Sequence, residues 1–453
     1  MQIISDSNSA DSVDRSSRRD FLKTTSALAA AGALTGSLSI ARGAHAAGSD
    51  LLKIGLVGCG DRGSGAAVNA LGADKNCKFV AMADAFSDRI PNSLENIKRA
   101  LGEDAAAKVA VAPDHCFAGL DAAEKLIRSG LIDVVILAEP PHFRPAHLKA
   151  AVDAGLQIFC EKPVAVDAPG VRSVMATVEE AKKKNLNLVS GLCWRYDRGV
   201  REVMKRVHDG AIGEIKSIQE TYLAAPLSYR PRQPQWTEME HQLRNWQYFV
   251  WLSGDFNTEQ HVHSLDKASW ALREQPPVRA WGVGGRQCRD PKQGNVYDHH
   301  AVTYEYPNGV NVHSYCRQIA GCPWYVNDVI VGTKGRAIVL DFRIEGETNW
   351  RMPGSRPGAF SSPLAYDVEH VKLFEAIRSG KTINNGHYMA QSTMLGLFGR
   401  MVDYTGQILT WQQAINSKQR LAPASYALDA VSPVLRDKDG NYPAAMPGVT
   451  RFE

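Results

Sequence analysis

The stretch KIGLVGCGDRG, residues 53–63, decides the fold of this chain. Its first half has apolar residues on both faces of the strand that it would form, which is typical of a strand inside a parallel sheet. Its second half places Gly58, Gly60 and Gly63 at the G-x-G-x-x-G spacing. The first glycine allows a tight turn, the second lets a pyrophosphate approach the backbone, and the third lets the following helix pack on the strand. The stretch therefore predicts a strand, a turn and a helix whose N-terminus binds a dinucleotide.

The next strand indicates which dinucleotide this is. FVAMA, residues 79–83, leads directly into Asp84, which lies about 20 residues past the last glycine, where an acid binds the ribose 2′-hydroxyl. A carboxylate there repels a 2′-phosphate and favours NAD over NADP, although the nearby Arg89 would admit the phosphorylated form. Asp61 and Arg62, inside the glycine-rich turn, are further candidate cofactor-binding residues.

The first 46 residues have the pattern of an export signal. SRRDFLK, residues 17–23, is a twin-arginine signature, a mildly apolar run follows over residues 24–40, and AHA at residues 44–46 matches a small-x-small cleavage site. These three regions in this order predict a twin-arginine signal peptide that is removed before Ala47. Because this route carries folded proteins, we expect a bacterial periplasmic protein that binds its cofactor in the cytoplasm and is exported with the cofactor bound.

Composition excludes several classes of function. The 453 residues are 44% hydrophobic and 22% charged, as in ordinary globular proteins, and suffice for two domains. A net charge of +4 without a clustered basic stripe argues against nucleic-acid binding, and no apolar run reaches the roughly 18 residues of a membrane span. The eight cysteines show no repeated spacing, which favours buried thiols; a bond between Cys316 and Cys322 is left open.

The chain divides into two patterns after the leader. Strand and helix patterns alternate over residues 52–191 and predict a doubly wound parallel sheet, with ligands at the carboxyl ends of its strands. Beyond Arg198, strands with alternating faces joined by turns such as Pro307-Asn308-Gly309 predict an antiparallel sheet. The predicted division is a signal peptide at 1–46, a dinucleotide-binding domain at 47–194 and a substrate and oligomerisation domain at 195–453.

Two motifs carry candidate catalytic residues. Lys162, in EKP at residues 161–163, follows a strand whose carboxyl end should lie near the nicotinamide, where an ammonium would lower the cost of deprotonating a substrate hydroxyl; the alternative is a surface lysine. Glu259 and His263 are four residues apart and would share one helix face. A histidine there is a plausible general base, although an isolated helical histidine is more often structural.

A metal site is the competing interpretation of the histidines. His261 and His263, with Asp298, His299 and His300, are possible zinc ligands. No C-x-x-C or H-E-x-x-H spacing accompanies them, and so no metal is predicted.

The glycine fingerprint, the EKP tripeptide and the acid-x-x-x-His-x-x-Asp pattern at 259, 263 and 266 together resemble the Gfo/Idh/MocA family of oxidoreductases. The resemblance implies an N-terminal Rossmann domain and a C-terminal α/β domain with an open, mostly antiparallel sheet that often supports homo-oligomers. It also implies that Lys162 lies beside nicotinamide and substrate, that His263 is the acid/base and that Glu259 positions substrate. The family usually has Asp at 259 and Gly at 261, so substrate assignments are not transferred.

Further site residues follow from the resemblance or from composition. Arg195 and Tyr196 match family positions near the active site, and His142 and Glu161 match positions near the cofactor. The segment 229–251 is rich in aromatic and arginine side chains, which suit the faces and hydroxyls of a sugar, and the candidates there are Trp236 and Trp246. A packed insertion or a subunit contact is the alternative.

These observations predict a NAD(P)-dependent oxidoreductase that moves a hydride between a sugar carbinol and a tightly bound nicotinamide. An alternative is a NAD-dependent glycoside hydrolase or lyase that uses transient oxidation, elimination and hydride return. A binding protein without catalysis is the third possibility, which Lys162 and His263 argue against.

Overall fold

The computed structural model describes residues 51–355 and 365–453, so the predicted signal peptide lies outside the described residues. The described residues of 51–355, 365–377 and 381–453 form one compact unit. Over the described ranges, no helix combines the length and apolar character needed to cross a membrane.

The first sheet is parallel and has six strands in the order β3-β2-β1-β4-β5-β6. Ile54 and Leu56 of β1 have no exposed surface, because helices cover both faces of the sheet. The strands are β1 Leu52–Val57, β2 Cys77–Asp84, β3 Cys116–Ala118, β4 Val134–Leu137, β5 Gln157–Cys160 and β6 Leu188–Ser190. The helices between them are α1 Asp61–Ala73, α2 Arg89–Leu101, α3 Ala105–Lys108, α4 Ala122–Arg128, α5 Arg144–Ala154 and α6 Ala168–Lys183. The doubly wound fold class is confirmed.

The second sheet has nine strands in the order β14-β13-β12-β11-β7-β10-β9-β8-β15. Only the pair β7 and β10 is parallel among the pairings described for residues 215–351 and 409–410. The strands are β7 Ile215–Ala224, β8 Arg279–Gly285, β9 His299–Glu305, β10 Asn311–Gln318, β11 Tyr325–Gly332, β12 Gly335–Ile338, β13 Arg343–Gly346, β14 Trp350–Arg351 and β15 Leu409–Thr410. The mostly antiparallel second sheet is therefore confirmed.

The remaining helices follow β6 in the chain. They are α7 Arg198–His208, α8 Glu238–Arg244, α9 Val250–Ser253, α10 Phe256–Glu259, α11 Val262–Ala271, α12 Ala365–Ser379, α13 Gly386–Thr405 and α14 Trp411–Asn416. Leu373 and Phe374 of α12 are buried in the same hydrophobic cluster as Ile54 and Leu56 of β1. A helix from late in the chain thus completes the core of the first sheet. The domain boundary between residues 194 and 195 stays a prediction.

A buried ion pair holds α11 against the end of the first sheet. Arg195, which follows β6, donates from Nε to Asp266 Oδ2 at 2.9 Å and from Nη2 to Oδ1 at 2.9 Å. Its Nη1 donates to Glu274 Oε1 at 2.8 Å, and the guanidinium lies 4.1 Å from the centre of the Tyr388 ring. The orientation of α11, the helix that carries His263, therefore depends on a charge pair out of contact with bulk water.

The substitution Asp266→Asn should lower the free energy of unfolding by about 3–5 kcal/mol, because it leaves a buried guanidinium without its main counter-charge. Chemical denaturation of the mature protein measures this. Asp209→Asn is the matched control, since Asp209 pairs with Lys205 on an exposed helix surface and its loss should leave stability unchanged. Equal stability of both variants would contradict the structural role of the buried pair.

Candidate active site

The glycine-rich turn is shaped by two kinds of constraint. Gly58 has φ +94°, and a Cβ there would lie 2.5 Å from the Glu139 backbone nitrogen; a Cβ on Gly63 would lie 1.9 Å from the Gly58 carbonyl oxygen. A Cβ on Gly60, in contrast, would meet no atom of the described residues within 4 Å. The first and third glycines are required by packing, whereas the second faces open space that a pyrophosphate would occupy.

Asp84 ties this turn to the loop after β2. Its Oδ2 accepts the Cys59 backbone N–H at 2.7 Å, and its Oδ1 accepts the Phe86 N–H at 2.9 Å. Burial raises the pKa of Asp84. Asp84, Gly58, Gly60 and Arg89 line one pocket at the carboxyl ends of the parallel strands. The open second glycine, the acid and this pocket fit a dinucleotide cofactor.

Arg62 and Glu161 form an ion pair that connects the glycine-rich turn to the end of β5. The Nε of Arg62 donates to Glu161 Oε1 at 2.5 Å, and its Nη2 lies 3.5 Å from Glu369 Oε1. Both carboxylates are buried, and burial followed by the nearby Glu161 raises the pKa of Glu369 well above its ordinary value. The structure therefore places Glu161 as a brace between the turn and the end of β5, whereas Asp61 is exposed at the start of α1.

The structure brings Lys162, Glu259 and His263 together. Lys162 Nζ lies 3.1 Å from Glu259 Oε1 and also donates to the Glu259 carbonyl; the two side chains are 14% and 12% exposed. Burial, and then the Lys162 charge, lower the pKa of His263 well below its ordinary value. The imidazole is consequently neutral at neutral pH, so its unprotonated nitrogen is present without prior loss of a proton.

The helix that carries Glu259 is held at its start by Asp255. Asp255 has φ +74°, its Oδ1 accepts the Phe256 N–H at 2.5 Å, and its Oδ2 accepts the Tyr404 hydroxyl at 2.5 Å. His300 lies between two carboxylates, 3.4 Å from Asp255 and 2.8 Å from Asp403. Burial lowers the pKa of His300, but these carboxylates outweigh it and raise the pKa to about 9. A buried imidazolium thus anchors α10.

The other histidine of the 259–266 motif belongs to the core. His261 is fully buried, its Nε2 is 2.6 Å from Ser314 Oγ, and burial lowers its pKa to about 3. Across residues 51–355 and 365–453, no cluster of three or more His, Cys, Asp or Glu side chains is arranged for a metal ion. Cys316 and Cys322 are both thiols, the first buried and the second exposed.

Arg195, Tyr196 and His142 are engaged in internal contacts. Arg195 binds Asp266 as described, and the Tyr196 hydroxyl donates to Asn385 Oδ1 at 2.7 Å. His142 Nε2 lies 2.8 Å from the Tyr426 hydroxyl, and burial lowers its pKa to about 4. Each of these three side chains is therefore hydrogen-bonded to another side chain of the protein.

The two candidate tryptophans lie near the cofactor pocket. Trp246 lines that pocket together with Gly58 and Asp84, and Trp236 faces the guanidinium of Arg244 at 5.1 Å from its ring centre. The same pocket contains a pair that sequence reasoning missed, Glu139 and His147, whose Oε1 and Nδ1 are 3.0 Å apart. The available sequence signal for this pair was the position of Glu139 directly after β4, in the turn Glu139-Pro140-Pro141-His142.

Two family models match most of the described chain. A family model described as "Oxidoreductase family, NAD-binding Rossmann fold" matches residues 52–190, and the GFO/IDH/MocA C-terminal domain matches residues 200–338. The chain belongs to the Gfo/Idh/MocA family of oxidoreductases. A twin-arginine translocation signal sequence matches residues 15–35, which indicates export.

Similar proteins include dehydrogenases of cyclitols. Inositol 2-dehydrogenase of Rhizobium meliloti is 26% identical over 58% of this chain and 73% of its own length. The 2,7-anhydro-N-acetylneuraminate hydratase of Escherichia coli is 26% identical over 66% and 72% respectively. The structure of scyllo-inositol dehydrogenase from Lactobacillus casei, with bound NAD(H) and scyllo-inositol, is 18% identical with a TM-score of 0.60, covering 80% of this chain and 100% of that one; this last likeness is one of fold.

The glycine geometry makes a paired prediction. Gly60→Ala should fold normally but weaken NADH binding at least about tenfold, because its Cβ enters the space that the pyrophosphate needs. Gly63→Ala should lower the free energy of unfolding by about 1–3 kcal/mol, because its Cβ would overlap a carbonyl oxygen. Fluorescence titration and chemical denaturation measure the two effects. A Gly60→Ala protein that binds NADH as tightly as wild type would contradict the assignment.

Proposed function

We propose that this protein is a NAD-dependent dehydrogenase that oxidises a hydroxyl of a sugar or sugar derivative. The observation that carries the proposal is the cluster of Lys162, Glu259 and His263, in which Lys162 pairs with Glu259 at 3.1 Å and its charge acts on the buried, neutral imidazole of His263. An oxidation of this type needs a base for the hydroxyl proton and a positive charge for the developing alkoxide. The cluster supplies both.

Each residue has a separate task. His263 takes the hydroxyl proton, and Lys162 stabilises the negative charge that develops on that oxygen. Glu259 holds the Lys162 ammonium in place through its carboxylate and its backbone carbonyl, and it orients a second substrate hydroxyl. NAD, when bound, accepts the hydride. Asp84 at the end of β2 supports NAD over NADP, because a 2′-phosphate would meet its carboxylate.

The carbohydrate substrate is supported by the relatives. One is an inositol 2-dehydrogenase, and a neighbour in fold binds NAD(H) and scyllo-inositol. Cyclitols and sugars share a ring of neighbouring hydroxyls, which suits a site with one base and a lysine–carboxylate pair.

We further propose a periplasmic location, cleavage near Ala47 and a cofactor that stays bound between turnovers. The match to a twin-arginine signal supports export, and a periplasmic enzyme that lost reduced cofactor after each turnover would have no local supply. Retention of the protein in the cytoplasm when Arg18 and Arg19 are both replaced by lysine supports this route, and unchanged export argues against it.

The mature protein is proposed to be a homo-oligomer. Apolar side chains are exposed on strands of the second sheet, among them Val283 of β8, Tyr315 of β10 and Tyr325 of β11. A partner surface would cover them. Light scattering that gives the mass of a monomer would remove this part of the proposal.

The decisive experiment follows bound nicotinamide by its near-ultraviolet absorbance while free sugars, cyclitols and glycosides are added to folded, mature protein. The proposal expects stoichiometric reduction by a free polyol or sugar and recovery on addition of a carbonyl compound. Product release from a glycoside without net reduction would replace it by the redox-assisted glycosidase. His263→Gln should lower the reduction rate about 10²–10⁴-fold while NADH binding remains.

The pKa of His263 makes a pH prediction. Because the folded protein depresses this pKa, kcat/KM for oxidation should fall only when the pH drops through that low value. Lys162→Met removes a charge that disfavours the imidazolium, so the pKa of His263 rises and the acid limb should move to higher pH. Lys149→Met, which removes an exposed lysine paired with Asp153, is the control and should leave the limb in place. An acid limb of the kcat/KM profile that lies at the same pH in Lys162→Met as in wild type would contradict an effect of the Lys162 charge on the pKa of His263.

A further inference from the structure

We propose that residues 236–251 form a clasp over the cofactor, with Leu243 and Trp246 as its contact residues, and that the clasp sets the rate at which the dinucleotide leaves. This inference rests on the proposed function, because it takes the pocket at the glycine-rich turn to hold NAD.

The cofactor pocket is completed by residues from outside the parallel sheet. Gly58, Gly60 and Asp84 come from the carboxyl ends of β1 and β2, whereas Leu243 and Trp246 come from α8 and the turn that follows it. A ligand that fills the pocket therefore contacts both parts of the chain. Its departure requires the second group of residues to move or the ligand to pass them.

The clasp is fastened to the loop after β2 by Arg244. Its Nη2 donates to Asp88 Oδ1 at 2.9 Å and its Nη1 to Asp88 Oδ2 at 3.2 Å. The guanidinium lies 3.9 Å from the centre of the Phe86 ring and 5.1 Å from that of Trp236. Because Asp84, which lines the pocket, is only a few residues before Phe86 and Asp88, this contact fixes the clasp directly at the cofactor.

A separate hydrophobic core makes the clasp rigid. Its buried members come from the loop after β2, from the clasp and the residue that follows it, and from the C-terminal segment: Phe86, Met239, Leu243, Tyr248, Phe249, Trp251, Leu252 and Tyr442. One polar contact crosses it, where Trp251 Nε1 donates to Gln242 Oε1 at 2.8 Å. The clasp is thus packed like a protein interior, and opening it breaks many contacts at once.

The position of the clasp gives Arg244 and Trp246 distinguishable roles. Arg244 lies behind the pocket wall and is absent from the pocket lining within the described residues, so its loss should speed both entry and exit of the dinucleotide. Trp246 lines the pocket, so its loss should speed exit without changing entry. The association and dissociation rate constants of the dinucleotide therefore distinguish the positioning role of Arg244 from the contact role of Trp246.

The test uses mature protein loaded with NADH, whose fluorescence anisotropy falls as it is displaced by excess NAD. Arg244→Gln and Asp88→Asn should each release NADH about tenfold faster than wild type, a factor that corresponds to about 1.4 kcal/mol, with a smaller change in Kd. Trp246→Leu should raise the release rate and Kd by the same factor. Because Asp88 is exposed, we expect Asp88→Asn to fold normally, and it tests the same contact if Arg244→Gln folds poorly.

Arg336→Gln is the matched control, because the exposed Arg336 pairs with Glu345 on a neighbouring strand of the second sheet, outside both the clasp and the loop after β2. Release at the wild-type rate in both Arg244→Gln and Asp88→Asn overturns the clasp, and so does equally fast release in Arg336→Gln. Failure of the wild-type protein to bind NADH at all refutes the proposed function instead.

Discussion

The arrangement of the site depends on the buried ion pair between Arg195 and Asp266. Arg195 stands at the end of the first sheet, and Asp266 lies on the helix that carries His263, so this contact relates the proposed base to the strand ends where the nicotinamide ring would lie. A buried charge without its partner is strongly unfavourable. The two elements are therefore held in one relative position by the cost of separating the charges.

The same physical rule recurs around the site. Arg62 lies between Glu161 and Glu369, and His300 lies between Asp255 and Asp403. Arg62 is thereby joined to the end of β5 through Glu161, and His300 joins Asp255 to Asp403. His263 differs from His300 because its charged neighbours are cations, among them Lys162, and so burial and charge both favour its neutral form. Burial and nearby cations therefore keep His263 neutral, whereas the two carboxylates around His300 keep it protonated.

Much of the fold was predictable because it follows from local patterns. The glycine spacing at 58, 60 and 63 and the alternation of strands and helices predicted the parallel sheet, and turns such as Pro307-Asn308-Gly309 predicted the hairpins of the second sheet. The packing of α12 onto the first sheet was not predictable, since an amphipathic helix does not specify which distant surface it will cover. For the same reason the sequence did not separate Trp246, which lines the cofactor pocket, from Trp236, which does not.

The sequence by itself determined the kind of chemistry available: a dinucleotide turn, a lysine after a strand and a histidine four residues after an acid. These are short-range relations, which residue spacing expresses directly. The tertiary structure alone decided the surroundings of each group. His261 and His263 differ by two positions, yet one lies in the core against Ser314 and the other is exposed to the charge of Lys162. It also decided the charge states, since a pKa is set by burial and by charges that arrive from distant parts of the chain.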